Sequence, residues 1–186
     1  MCFYWFYALF RESKSDLQKE NTLSFVPIVN RAVEKGQSCK YILRYVEGLN
    51  NEGFYDKILN IDLDRRRFWT DEISDNILEA VLGGRGLGAY LLWKNLKKDT
   101  VPLSPANVLI FTVGPTTGTK MMGASRYGVF TKSPQTHFFA DSYSGGYVAP
   151  QIKRCGYDAI IIRGASDSPV YLEDSDKDIK FHSARH

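Results

Sequence analysis

Between Lys57 and Asp64 the segment KILNIDLD sets Leu59, Ile61 and Leu63 against Asn60 and Asp62. Strict alternation of this kind predicts a half-buried strand. DRRRFW follows as a tight turn into a short returning strand. In TDEISDNILEAVLGG the apolar residues Ile73, Ile77, Leu78, Val81 and Leu82 fall on one helical face. Thr70 or Ser74 is the expected N-cap and Gly83 the expected stop. Beyond GGRG a second helical run carries Leu87, Tyr90, Leu91 and Leu92. VLIFTVG is a continuous apolar run, the signature of a strand buried on both faces. RYGVFTKSP and THFFADS read as two strands joined at Ser133-Pro134. GGYVAPQIKRCG reads as a helix with Pro150 in its first turn and Gly156 past its end. YDAIIIRG is another buried strand, and PVYLEDSDKDIKF a hairpin around Ser175–Lys177. Strands, helices, strands, helix, strands is the order of an α+β fold of layered sheets flanked by helices. It lacks the steady alternation of a doubly wound sheet.

Residues 1–51 differ in texture. MCFYWFYALF is apolar and aromatic but too short to span a bilayer, which takes about 20 residues. It has no basic n-region or obvious cleavage site, so a signal peptide is a poor fit. RESKSDLQKENT is polar, and SCKYILRYVEGLNNE places Cys39, Ile42, Leu43, Val46 and Leu49 at helical spacing. The expectation is a leader, poorly structured or partly helical, over 1–51, followed by one domain over 52–186.

Composition narrows the classes. The chain has 186 residues, 44% hydrophobic and 24% charged, which are globular values. A net charge of +3 is too small to argue for nucleic acid, and DRRRF fits a solvated turn better than a phosphate-tracking patch. The three cysteines, Cys2, Cys39 and Cys155, are widely spaced and form no CxxC pair. That disfavours a disulfide framework or a zinc site and fits a reducing, cytoplasmic setting. Cys155, next to Gly156 at a helix end, reads as a buried structural thiol.

Two glycine clusters bear on chemistry. GGRGLG does not have the spacing or the preceding strand of a dinucleotide fingerprint. It reads as a bend between two helices, with Arg85 exposed or capping carbonyls. SYSGGYVAP follows a strand and opens a helix. Main-chain N–H groups at a helix start lack internal partners, and glycines let an anion approach them. Ser144 could cap the helix or donate to the ligand; an ordinary strand-to-helix turn is the alternative. Arg126 opens the strand whose partner leads into this turn, so its guanidinium could reach the same anion, or instead pair with Asp141. Lys132 and His137, near the Ser133-Pro134 turn, are weaker candidates. No paired carboxylates, Ser/His/Asp set or metal-ligand cluster stands out.

Read in order, YDKILNIDL, GGRGLGAYLLW, PLSPANVLIFTVGPTTGT, SRYGVFTKSPQT, SGGYVAPQIKRCGYDAIIIRG and PVYLEDSDKDIKFHSARH resemble the N-terminal domain of the tungsten-containing aldehyde ferredoxin oxidoreductases. The resemblance covers about Phe54 to His186. It implies a base of two related sheet units and a bis-pterin cofactor whose dithiolenes hold tungsten, or molybdenum in some relatives. Beside it would lie a [4Fe–4S] cluster, with an Mg²⁺ bridging the pterin phosphates. Arg126 matches the arginine placed between pterin and cluster. Tyr143, Ser144, Gly145 and Gly146 match the NSGGY segment that contacts the pterin and its phosphate region. Tyr143 stands where many members have Asn, a change that a backbone carbonyl contact to Mg²⁺ survives and a side-chain contact does not.

The implied reaction is oxidation of a small aldehyde to a carboxylic acid with ferredoxin as acceptor. The cluster cysteines of the family, a C-x-x-C-x-x-x-C pattern and one more, are absent here. The chain is therefore expected to be about the first third of an enzyme, to need the remaining domains, and to be inactive alone. The implied partners include neither nucleic acid nor membrane, and a homo-oligomer is compatible. SPQT and GGYVAP also resemble the tungsten subunit of benzoyl-CoA-type reductases, and an orphan non-catalytic domain is the third alternative.

Overall fold

The computed structural model describes residues 4–8, 53–175 and 178–184. The helical segment expected around Cys39–Leu49 lies outside the described residues. The chain divides into two compact units, Gly48–Asp167 and Met1–Glu47 together with Ser168–His186. The larger holds strands β2 (Lys57–Asp62), β3 (Arg67–Glu72), β4 (Val108–Val113), β5 (Tyr127–Lys132), β6 (Phe139–Ser144) and β7 (Ala159–Arg163). Its helices are α1 (Asp75–Val81), α2 (Gly84–Asn95) and α3 (Val148–Arg154). The described residues of the smaller unit form a three-stranded sheet in which β8 (Val170–Ser175) lies between β1 (Tyr4–Ala8) and β9 (Asp178–Ser183). The α+β class is as expected, with a six-stranded sheet, flanking helices and a second small sheet.

The six strands run in the order β3-β2-β7-β4-β5-β6. Only β2 and β7 pair in parallel; the other neighbours are antiparallel. One register row crosses the whole sheet: Trp69, Asn60, Ile161, Ile110, Phe130 and Asp141. Residues paired across neighbouring strands share a face, so this row and its alternates form one surface. Leu78 of α1 and Leu87, Leu91 and Leu92 of α2 pack there, against Ile58, Val108, Ile110, Phe130 and Ile161. Leu59, Ile61, Phe111, Ile160 and Ile162, which point the other way, are buried as well.

Asn60 corrects the half-buried reading of β2. It faces the helices and is 1% exposed. A buried amide needs partners. Its Nδ2 donates to Asp71 (2.9 Å) and its Oδ1 accepts from Arg163 Nη2 (2.8 Å). Arg163 also donates to Asn95 at 3.2 Å, and its guanidinium lies 5.4 Å from the Trp69 ring centre. Alternation of apolar and polar letters hides a central strand when the polar letter is internally bonded.

The GGRG segment is a second correction. Gly84, Arg85 and Gly86 form the first turn of α2, and Gly83 is its N-cap, so the bend between the two helices is confined to Leu82-Gly83. A Cβ on Gly86 would fall 2.2 Å from the Val81 carbonyl oxygen, and one on Gly88 2.3 Å from the Phe130 ring. Both glycines let α2 sit close to its neighbours. The actual break is Leu82, in the left-handed region at φ 55°. Ser74 is the N-cap position of α1 but makes no side-chain capping bond, and Thr70 belongs to β3.

Candidate functional site

The ends of β4 and β6 and the start of β5 meet at one end of the sheet. Tyr127 pairs with Val113 on one side and with Ser144 on the other. Arg126 immediately precedes Tyr127, and Gly145 immediately follows Ser144, so this register makes them cross-strand neighbours. A Cβ on Gly145 would lie 3.9 Å from the Ser125 carbonyl oxygen, which fixes the closeness of the two segments. The segment Pro115–Ser125 connects β4 to β5 at this end of the sheet.

Arg126, Tyr143, Ser144, Gly145 and Gly146 are all exposed, so the structure brings the five predicted residues together on an open surface. Arg126 makes no hydrogen bond or ion pair with the described residues. Its alternative partner, Asp141, is taken by Arg85: Arg85 Nε lies 3.0 Å from Asp141 Oδ2. The same oxygen accepts the Tyr143 hydroxyl at 2.9 Å. Burial, then the hydrogen bond and charge of Asp141, raise the Tyr143 phenol above its usual pKa, so it stays protonated. Gly146 has φ 92° and nothing within 4 Å of where a Cβ would stand. Any other residue would be strained there although there is space for its side chain.

The glycine pair precedes the helix instead of opening it. Ser144 ends β6, Tyr147 is the N-cap position, and α3 begins at Val148. Ser144 therefore caps nothing, and α3, with 7 residues, contributes little dipole. What the turn offers an anion is main-chain N–H groups with a cation beside them.

The weaker candidates have structural work. Lys132 Nζ donates to the carbonyls of Lys98 (3.1 Å) and Thr100 (2.9 Å). His137 is exposed at φ 61°, and its N–H closes the β5–β6 turn on the Ser133 carbonyl at 2.9 Å. Cys155 is half-buried and lines a polar cleft of about 350 Å³ with Lys57, Thr70, Glu72 and Tyr157, which corrects its reading as a buried thiol.

Sequence reasoning missed a buried ion pair. Lys153 of α3 and Asp158, just before β7, are 1% and 0% exposed and in direct contact. Lys153 Nζ also donates to the Gly53 carbonyl at 2.8 Å and lies 5.3 and 5.5 Å from the Phe54 and Tyr55 ring centres. Asp158 Oδ2 accepts the N–H groups of Tyr55 and Asp56, each at 2.8 Å. Burial pushes the Lys153 ammonium below the usual lysine range, opposed by the adjacent carboxylate. The signal that could have found it is the spacing, since a lysine facing the core from a short helix needs a nearby counter-charge. Among the described residues, no group of three or more His, Cys, Asp or Glu could hold a metal ion. Nor is any described helix long and apolar enough to cross a membrane.

The order of elements and the mixed sheet are those of a known class of domain. Residues 58–186 match the family model "Aldehyde ferredoxin oxidoreductase, N-terminal domain". The chain belongs to the aldehyde ferredoxin oxidoreductase family, as a form of its N-terminal domain. Its relatives include tungsten-containing aldehyde ferredoxin oxidoreductases of Thermococcus kodakarensis and Pyrococcus furiosus, 39% and 38% identical over 134 residues. These alignments cover 72% of this chain and 22% of each relative, so the chain spans about a fifth of their length. An aliphatic sulfonate oxidoreductase, WOR-like subunit, of Pyrococcus furiosus is 40% identical over 119 residues, covering 62% of this chain and 19% of its own. Among solved structures, the active-site complex BamBC of benzoyl coenzyme A reductase, in complex with 1,5-dienoyl-CoA, superimposes with a TM-score of 0.69. It is 36% identical and covers 72% of this chain and 20% of that one.

Proposed function

We propose that residues 52–186 are the cofactor-binding portion of a cytoplasmic tungstopterin, iron–sulfur oxidoreductase that oxidises aldehydes to carboxylic acids and passes electrons to ferredoxin. The observation that carries this reading is the placement of Arg126, unpartnered among the described residues, beside the Gly145-Gly146 turn. The residues fit a phosphorylated cofactor: a positive-φ glycine with open space around it, main-chain N–H groups, and an exposed guanidinium free for bidentate bonds. Arg126 would bind and orient the pterin on its cluster side. Gly145 and Gly146 would let its phosphate reach the main chain, and the Tyr143 carbonyl would be available to a bridging Mg²⁺. When bound, the metal cofactor and its neighbouring iron–sulfur cluster would supply the redox chemistry. The chain's own part is binding and positioning. On this reading it needs the remaining domains for activity.

The test is elemental analysis of the protein that carries this domain together with the rest of an enzyme of this family. Tungsten and organic phosphate in fixed proportion are expected, with viologen-linked oxidation of small aldehydes. Absence of both metal and phosphate would overturn the reading. The benzoyl coenzyme A reductase likeness supports a second reading, a tungsten subunit of an aromatic reductase. Turnover of an aromatic CoA thioester with no aldehyde oxidation would favour it.

A further inference from the structure

We propose that Arg85, Asp141 and Tyr143 form a clasp that positions the Ser144–Gly146 main chain for the cofactor. Tyr143 then contributes its backbone and not its phenol. The inference rests on the proposed cofactor site and adds three residues to it, with Asp141 as the central positioning residue.

Three independent observations commit the Tyr143 side chain to the helix-covered face. Tyr143 pairs in register with Gly128, where a Cβ would lie 3.1 Å from the Tyr143 ring and 2.4 Å from Phe130. The glycine is a gap that the phenol ring needs. The Tyr143 ring meets Phe130 edge-on, with centroids 5.9 Å apart and planes at 83°, a favourable aromatic geometry. Its hydroxyl then donates to Asp141 Oδ2, the atom that also pairs with Arg85. Asp141 and Tyr143 lie two residues apart on β6 and so share a face, while Arg85 reaches them from the first turn of α2. Among the described residues β6 is an edge strand, held by β5 on one side alone. Its last residues would fray without a second attachment, and the clasp ties them to α2 just ahead of Gly145. A carboxylate that engages Arg85 also leaves Arg126 as the cation facing the turn.

The test uses the full chain, with inorganic phosphate as probe, in wild type, Asp141→Ala, Tyr143→Phe, the double variant and Arg126→Ala. Amide hydrogen exchange at 144–147 reads the clasp directly. It should accelerate in both single variants and no further in the double, while β7 amides keep their wild-type rates. Phosphate affinity should fall about two- to fivefold in each single variant, the worth of one exposed ion-paired hydrogen bond, again without addition in the double. Unchanged exchange at 144–147 in both variants would overturn the clasp. So would weaker phosphate binding in Tyr143→Phe with wild-type binding in Asp141→Ala, because the phenol would then be the ligand itself. Failure of the cofactor-site reading looks different: phosphate binding absent in wild type, or indifferent to Arg126→Ala, whatever the exchange rates do.

Discussion

Lys153 and Arg126 are two cations of the larger unit with opposite environments. Lys153 is 1% exposed and fully engaged by Asp158, the Gly53 carbonyl and two aromatic rings. Arg126 is exposed and engages none of the described residues. A buried charge is tolerated where the fold supplies its partners, so Lys153 belongs to the architecture. An exposed arginine, unengaged among the described residues and beside a glycine turn, contributes little to folding and remains available to a ligand. Lys153 thus builds the platform, while Arg126 is left for a ligand.

The largest effect should come from breaking the buried pair. Lys153→Met leaves Asp158 charged in the interior and should cost about 3–5 kcal/mol, seen as a lower urea midpoint at unchanged slope. Adding Asp158→Leu should not restore stability, because Asp158 also holds the N–H groups of Tyr55 and Asp56. Full recovery in the double variant would reduce the pair to an ordinary salt bridge.

A smaller loss is expected at the α2–β5 contact. Gly88→Ala drives a methyl group into the Phe130 ring and should destabilise by about 1–3 kcal/mol in chemical denaturation. A neutral result would mean that α2 can move away from the sheet.

The smallest effect should be a gain. Asp56 carries a buried Oδ1 without a partner among the described residues, and burial and the Asp158 charge raise its pKa above 3.8. The folded state then holds the proton more tightly than the unfolded state, so stability is lost as pH rises from 3.8 through the folded pKa. Asp56→Asn removes that penalty, and Asn tolerates the φ of 60° at this position. Thermal melts should show the variant modestly more stable at pH 7 and equal to wild type below pH 3.8. A variant less stable at both pH values would contradict this.

Much of the fold was legible because it rests on local patterns. VLIFTVG and YDAIIIRG read as buried strands, and the β5–β6 turn at Ser133-Pro134 as a turn. Asn60 and Lys153 were misread or missed for a common reason. Each owes part of its environment to residues distant in sequence: Arg163 for Asn60, Gly53 for Lys153. At the candidate site, Arg126 and Gly145 could be named because they flank two adjacent strands of one hairpin. The clasp through Arg85 could not, since α2 reaches Asp141 only after the sheet has formed.

The central claim is that Arg126 serves the cofactor and not the fold. The most direct measurement is tungsten and organic phosphate per protein in the cofactor-loaded enzyme carrying this domain, with Arg126→Ala beside wild type and Arg66→Ala, a turn residue, as control. Arg126→Ala should lose most of both, while the unfolding free energy of the cofactor-free variant stays within about 0.5 kcal/mol of cofactor-free wild type, as for an ordinary surface substitution. Wild-type metal and phosphate in Arg126→Ala would contradict it.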